Sequence, residues 1–343
     1  MLCKKVIKCK IVKPTLEKRK ALEKEYNNLQ IYLHTLDDWG VYSANKQQAE
    51  RFYKNIIWGR KYPISMRKDL LQIERKNNKL SKYWARIRVK SKRNLWVAIK
   101  PHQDIPDDIE LCESKLFPKK GEWWLYITIQ KEVKPTHVHN ILGVDLGIRW
   151  SATVCDLRTG QAKFYGRDIR EIRGKYFYLR RKTTKNFGDI EKRKVNDKLH
   201  KISKQIIEWA KKTNSIIVVG DLKDVRNGNK GRKFNRKISN MPSFKLKQQI
   251  LYKANWEGIE VHFVGEAYTS KTCHICGQRG TRTNGLFKCS CGCQDNADRN
   301  GAINIAKRGL GQVSSLGVVS DQPELMEFAN SKNSSEAIQL VGW

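Results

Sequence analysis

Residues 258–305 read GIEVHFVGEAYTSKTCHICGQRGTRTNGLFKCSCGCQDNADRNGAINI. The apolar run Ile259–Val264 has the length of a buried strand and stops just before Glu266. Two cysteine knuckles follow, then a polar segment containing Asp298, then the apolar start of a helix. Two closely spaced thiolates clasp one Zn²⁺ from a tight turn, and a second such pair completes the tetrahedron. Cys273 and Cys276 form the first pair, and the run KCSCGC offers Cys289, Cys291 and Cys293 for the second. Cys289 and Cys291 are preferred, because Gly292 follows directly where a knuckle turn needs a residue tolerant of positive φ. Free reduced cysteines would not be expected to crowd in this way; the other four (Cys3, Cys9, Cys112, Cys155) are scattered.

The rest of the chain is basic. Its 343 residues carry 68 Lys+Arg against 34 Asp+Glu, a formal net charge of +34. Self-repulsion of that size destabilises a compact state unless a polyanion relieves it, and nucleic acid is the expected partner. No apolar run reaches the eighteen or so residues of a membrane span. The start MLCKKVIKCKIVK alternates rather than forming the apolar core of a signal peptide, so a cytoplasmic protein is expected.

Residues 1–13 alternate as a half-exposed strand does, with Val6, Ile7, Ile11 and Val12 among lysines. Helical spacing follows at Leu22, Tyr26, Leu29 and Leu33; Phe52, Ile56 and Ile57 start a second helix, and Leu70, Leu71 and Ile73 belong to a third. YWARIRVK and LWVAIK flank a hairpin turn, and IELCESKLF and EWWLYITIQKEV form another strand pair. These strands, with the first, suggest a small β-barrel interrupted by a helical insert. Trp84, Trp96, Trp123, Trp124 and Tyr126 lie among basic residues there, mostly as core, with one or two available to stack on bases. Residues 135–140 read as a linker, and 141–166 as two strands around a turn. A long basic helical region (167–212), a buried strand in SIIVVGDLKDV, a basic loop (226–237) and the amphipathic helix FKLKQQILYKANWEG lead back to the opening stretch. Past Leu310 the chain turns polar and acidic, as a loosely ordered tail.

Asp145 sits in GVDLG after an apolar strand start, where a carboxylate holds a divalent metal while glycine lets substrate approach. Taken alone, Asp145 also reads as a turn aspartate, and Asp298, less readily, as a helix N-cap. Phosphodiester cleavage with two metals needs carboxylates converging from separated segments. The order of strand with Asp145, hairpin, helices, strand, helix, strand and Asp298 is an RNase H-like layout, a mixed sheet with acids at strand tips.

The blocks GVDLG, VNDKLHKIS, VVGDLK, YTSKTCHICG, FKCSCG and NADRNGAINI, in this order, resemble the TnpB (OrfB) proteins of insertion sequences and the compact type V CRISPR effectors related to them. The resemblance covers roughly residues 80–306. It implies a RuvC-type nuclease that cuts double-stranded DNA chosen by a guide RNA, with catalytic Mg²⁺ and a zinc-binding insert. The sequence leaves the oligomeric state open, and a monomer with one RNA is the expectation. The implied fold is α/β plus β-barrel: a β-barrel (1–15 and 80–135), a helical recognition insert (16–79), an RNase H-like (RuvC) domain (136–268 and 295–310), a zinc-binding insert (269–294) and a tail (311–343). Asp145 matches the first catalytic acid and Asp298 the third.

The middle acid departs from the pattern. The usual glutamate closing the strand is Gly220 in this chain. Glu266 at the tip of a neighbouring strand would reach a metal held from the next, since parallel strands sit about 4.8 Å apart. Asp221 would serve if a bend corrected its facing. Otherwise the acid is gone, and the protein binds guide RNA and DNA without cutting. With Glu266, Asp145 would bridge two Mg²⁺, and Glu266 and Asp298 would complete one each. Arg282 or Arg299 would stabilise phosphate charge or merely contact a phosphate. A zinc-ribbon DNA-binding protein that needs no RNA is a third class of reading.

Overall fold

The computed structural model describes residues 2–76, 78–90, 93–134, 138–221, 231 and 241–315. The chain divides into two compact units, Met1–Glu132 and Val133–Trp343.

In the first unit, β1 (Leu2–Ile11) buries Cys3, Ile7, Cys9 and Ile11 and leaves Val6 to solvent. Two helices follow, α1 (Leu16–Thr35) and α2 (Ser43–Phe52). Then come β2 (Ile64–Met66), β3 (Leu71–Arg75), β4 (Tyr83–Lys90), β5 (Arg93–Pro101), β6 (Glu110–Leu111), β7 (Ser114–Lys119) and β8 (Glu122–Glu132). The strands pair antiparallel in the order β2-β7-β8-β1-β5-β4-β3, with β6 against β8. Seven strands at about 4.8 Å spacing would put β2 and β3 about 29 Å apart in a flat sheet. The residues 67–70 that join them reach at most about 18 Å. The sheet is therefore curled, but no pairing among the described residues joins β2 to β3, so the expected barrel is an open, curled sheet. Helix α1 buries Leu22, Tyr26, Leu29, Tyr32 and Leu33, and Tyr26 meets Trp123 edge-to-face at 5.8 Å.

Two expected helices are corrected here. Phe52 ends α2 instead of starting a helix, and Ile56 and Ile57 lie in the loop beyond it. Leu71 and Ile73 belong to β3, opposite Ile87 and Ala85 of β4, and Leu70 closes a short 3₁₀ turn. A short apolar run suits either state, and an open edge on β4 decides for the strand. Trp123 is core, whereas Trp84, Trp96, Trp124 and Tyr126 are half-buried.

The second unit holds a five-stranded mixed sheet. Its strands are β9 (Asn140–Asp145), β10 (Ala152–Asp156), β11 (Ala162–Tyr165), β12 (Ser215–Asp221) and β13 (Val261–Gly265), in the order β11-β10-β9-β12-β13. The first three are antiparallel; β12 runs parallel to both β9 and β13. Asn140 is thus strand, not linker, and 141–166 holds three strands, not two, because turn residues at 157–161 split its second half. The basic region forms two helices, α3 (Arg167–Lys182) and α4 (Ile190–Lys212), and α5 (Ser243–Glu257) follows β12. Helix α6 (Ala297–Ser315) runs past Leu310, so the tail begins later than its composition suggested; residues 316–343 lie outside those described. Apart from Gly231, so does the basic loop 226–237.

Alternation in the strands assigns the helices to faces. Leu142, Val144, Ile217 and Val219 pack with Leu199 and Ile206 of α4 and Leu246 and Ile250 of α5. Ile141, Ile216, Val218 and Val264 pack with Ala302, Ile305 and Ala306 of α6 on the other side. No helix among the described residues is long and apolar enough to cross a membrane.

Candidate active site and metal centre

Three short strands carry the cysteine module: β14 (Thr281–Thr283), β15 (Leu286–Lys288) and β16 (Gln294–Asn296), antiparallel in that order. Each knuckle closes on a left-handed glycine. Gly277 (φ +75°) donates its N–H to the Cys273 carbonyl at 3.0 Å, and Gly292 (φ +87°) to that of Cys289 at 3.1 Å. The sulfurs of Cys273, Cys276, Cys289 and Cys291 all lie within 4.8 Å of one another. Two cross-pairs stand at 3.8 Å (Cys273–Cys291) and 3.4 Å (Cys276–Cys289). A tetrahedral ion with Zn–S of about 2.3 Å requires sulfurs about 3.8 Å apart, so the set fits Zn²⁺. The Cys291 backbone N–H helps pull the Cys289 thiol down to about 7. Cys293 is not one of the four; it packs against Cys273, Phe287 and Ala297 in the module's small core.

The module grips the start of α6. The His274 N–H donates to Asn300 Oδ1 at 3.0 Å, and Asn300 Nδ2 donates to the Thr272 carbonyl at 2.8 Å. Asn304 Nδ2 reaches the same carbonyl at 2.7 Å and that of Thr269 at 2.8 Å. Both residues flanking Cys273 are thus tied to the helix. Arg299 is held by Asp295 at 2.6 Å and by the Gly160 carbonyl at 2.9 Å, which occupies it structurally. The helix is capped by Asn296, whose Oδ1 accepts from the Asp298 N–H at 2.9 Å and the Arg299 N–H at 3.3 Å. Asp298 is therefore not the N-cap, and its carboxylate is left to pair with Arg282 at 2.7 Å.

Asp145 ends β9, Gly220 and Asp221 end β12, and Glu266 follows the last residue of β13. These three strands are parallel, so their carboxyl ends share one sheet edge, the usual place for a ligand in such sheets. Period-two alternation turns Asp145 and Gly220 toward α6, with Ile141 and Val218. Asp221 faces the other way, where Lys247 of α5 binds it at 2.5 Å. The Glu266 side chain lies over Gly220: a Cβ at 220 would stand 2.6 Å from the Glu266 carboxyl carbon. Glu266 accepts the Leu146 N–H, while its Oε1 is buried with no hydrogen-bond partner among the described residues. On the helix side, a Cβ at Gly301 would stand 2.8 Å from Asp145 Oδ2, so glycine there lets α6 reach the carboxylate.

Electrostatics link the acids. Burial raises the Asp145 carboxyl to about 7; nearby Asp298 adds to the rise and Arg282 opposes it. Burial, then the charge of Asp145, raises Glu266 to about 8. Asp145 thus feels one acid and acts on the other. An acceptor without a donor, beside a second carboxyl that resists ionisation, is a donor set suited to a divalent cation. Sequence reasoning did not single out Asn296, Asn304 or Gly301. Asn296 ahead of an apolar helix start is a legible cap signal; the other two acquire meaning only from what they touch.

The shifts fix the sign of a pH dependence. Unfolded carboxyls ionise near pH 4, whereas folded Asp145 and Glu266 keep their protons to about 7 and 8. Between those limits the folded chain binds more protons, so these groups make metal-free stability fall as pH rises. The melting temperature should drop between about pH 5 and pH 8.5, less steeply in Glu266→Gln, and Mg²⁺ should restore most of the loss at the higher pH. Identical slopes for Glu266→Gln and the parent would show that Glu266 is not a buried acid.

Comparison with known proteins gives the following. The family model described as "Cas12f1-like, TNB domain" matches residues 244–305. TnpB-like protein MJ0751 of Methanocaldococcus jannaschii is 40% identical over 129 residues, 36% of this chain and 45% of that protein. TnpB-like protein aq_aa05 of Aquifex aeolicus is 30% identical over 236 residues, 57% of this chain and 76% of that protein. The CRISPR-associated endodeoxyribonuclease Cas12f1 of Sulfoacidibacillus thermotolerans is 28% identical over 218 residues, 55% of this chain and 50% of that protein. The match spans about half the length of the first and third of these relatives.

Proposed function

The chain belongs to the TnpB-like family, and from that premise we propose that it is an RNA-guided DNA endonuclease that hydrolyses the phosphodiester backbone of guide-matched DNA at a RuvC-like site. The observation that carries the reading is Glu266 lying in the space a side chain at Gly220 would fill, on the sheet edge that holds Asp145. The strand order of the second unit, with acids at its carboxyl edge, supports an RNase H-like domain made from 136–268 and 295–310, with 269–294 as the zinc insert. The first unit would serve as wedge-like sheet and recognition insert for guide RNA and target DNA, and the protein would work in the cytoplasm as a monomer with one RNA.

Asp145, Glu266 and Asp298 would hold catalytic Mg²⁺. When bound, the metal activates an attacking water and stabilises the leaving 3′ oxygen. Before that, burial holds the Asp145 and Glu266 carboxyls up, to about 7 and about 8, which lessens the negative charge gathered at this edge. Arg282 holds Asp298 in place and offsets its charge. The basic side chains of α3 and α4 would bind phosphates without reading sequence, so affinity for nucleic acid should fall steeply with salt. Copurifying RNA, once sequenced, gives the guide. The complex should then cut a guide-matched plasmid only with Mg²⁺, and Asp145→Ala should stop it. Cutting by Asp145→Ala at the parent rate would end the nuclease reading. Guided binding without cutting by the parent would make the chain a nuclease-inactive, RNA-guided DNA-binding protein.

A further inference from the structure

Trp58 is the most exposed large hydrophobic side chain among the described residues, at 80%. It is not on a loose loop. Ile57–Arg60 forms a β-turn closed by the Arg60 N–H on the Ile57 carbonyl at 3.1 Å, with Gly59 at φ +73° in the third position, where a type II turn needs positive φ. The turn is pinned on both sides. The Ile57 N–H donates to the Tyr62 hydroxyl at 2.8 Å, and His34 Nε2 lies 3.1 Å from the Arg60 carbonyl. The His34 ring then meets the Trp58 indole edge-to-face, 5.3 Å between centroids at 66°. Tyr62 is in turn packed on Tyr53 at 4.9 Å. An indole is therefore held from beneath while most of its surface faces solvent.

Charge identifies what covers it. Arg51, Lys54, Arg60 and Lys61 surround the turn in sequence and are all exposed. From Arg51 to Lys68 the chain contains no Asp or Glu. Among the described residues none of those four cations has a carboxylate partner. Arg60 lies over the Tyr62 ring at 5.6 Å and Arg51 over Phe52 at 5.6 Å, so their charges are not neutralised. A held aromatic face with such cations beside it in sequence matches an unstacked base carried on a phosphate backbone. Bases of duplex DNA are already stacked, whereas RNA is commonly recognised through single-stranded bases splayed onto aromatic rings. We propose that Trp58 is a stacking platform for one unstacked base of single-stranded RNA, with Lys54 and Arg60 holding the flanking phosphates. Only the choice of RNA rests on the reading of the chain as RNA-guided.

The test uses the full chain freed of bound RNA and three labelled probes of about twelve nucleotides: oligouridylate, oligothymidylate and a DNA duplex. Trp58→Ala should weaken oligouridylate binding about five- to a hundredfold, by the same factor at low and high salt, since stacking releases no counterions. Trp58→Tyr should keep most of the affinity. Lys54→Ala should instead flatten the salt dependence. Ultraviolet irradiation of the parent with oligouridylate should place a uridine adduct on the Trp58 peptide, a readout that needs no variant. Trp58→Ala binding like the parent, an adduct only elsewhere, or a loss confined to the duplex would each overturn the platform while leaving RNA binding intact. If the parent binds none of the probes, the RNA-guided reading fails as well.

Discussion

Glu266→Ala should abolish cleavage of a guide-matched plasmid, and Asp221→Ala should leave it within a few-fold of the parent. That is the expected outcome of the site geometry. Loss of a carboxylate that holds catalytic metal removes several kcal/mol of charge stabilisation, at least about a hundredfold in rate. Asp221 stands on the opposite face of β12 in an ion pair with Lys247, so its replacement should lower the melting temperature rather than the rate. Gly220→Ala should lower cleavage too, although it adds only a methyl. The added carbon would press on the Glu266 side chain, and overpacking of this kind costs about 1–3 kcal/mol. The measurement is single-turnover cleavage by complexes of equal RNA content. Equal losses in Glu266→Ala and Asp221→Ala, or a larger loss in the latter, would remove Glu266 from the proposed site.

Cys276→Ser should lower zinc content, melting temperature and cleavage together, while Cys293→Ser should lower none of them by much. Cys276 is exposed, so exchanging sulfur for oxygen there disturbs little packing. Structural zinc sites in small modules contribute on the order of 10 kcal/mol to folding. This module's core is only Cys273, Phe287 and Ala297 with a few partly buried neighbours, too little to hold its shape alone. The loss should spread to the acid edge by a traceable route. Thr272 and His274 flank Cys273 and bind Asn300 and Asn304, and that hold sets the position of the helix start bearing Asp298. Asn300→Ala, which spares the cysteines, should therefore lower cleavage without releasing zinc. Cys276→Ser with zinc and cleavage both unchanged would show that these four thiols are not the site.

The order of the blocks, the four clustered cysteines and the acids at 145 and 298 were legible in the sequence because each depends on near neighbours. A knuckle needs cysteines a residue or two apart and a glycine that accepts positive φ, and both are written locally at Cys289–Gly292. An acid after an apolar run is likewise a local pattern, as at Asp145. The open sheet and the segment 64–75 were not legible, because a run of three or four apolar residues suits either helix or strand until an edge is available to pair with it. Which acid lies beside Asp145 was least legible of all. Gly220, Asp221 and Glu266 are equally plain in the sequence, and choosing among them needs the register of three parallel strands and the face each side chain takes. In the tertiary structure alternation sends Asp221 to Lys247 and leaves a gap at Gly220 that Glu266, distant in sequence, fills. Local chemistry thus named the candidates, and the pairing of distant strands decided which of them meet.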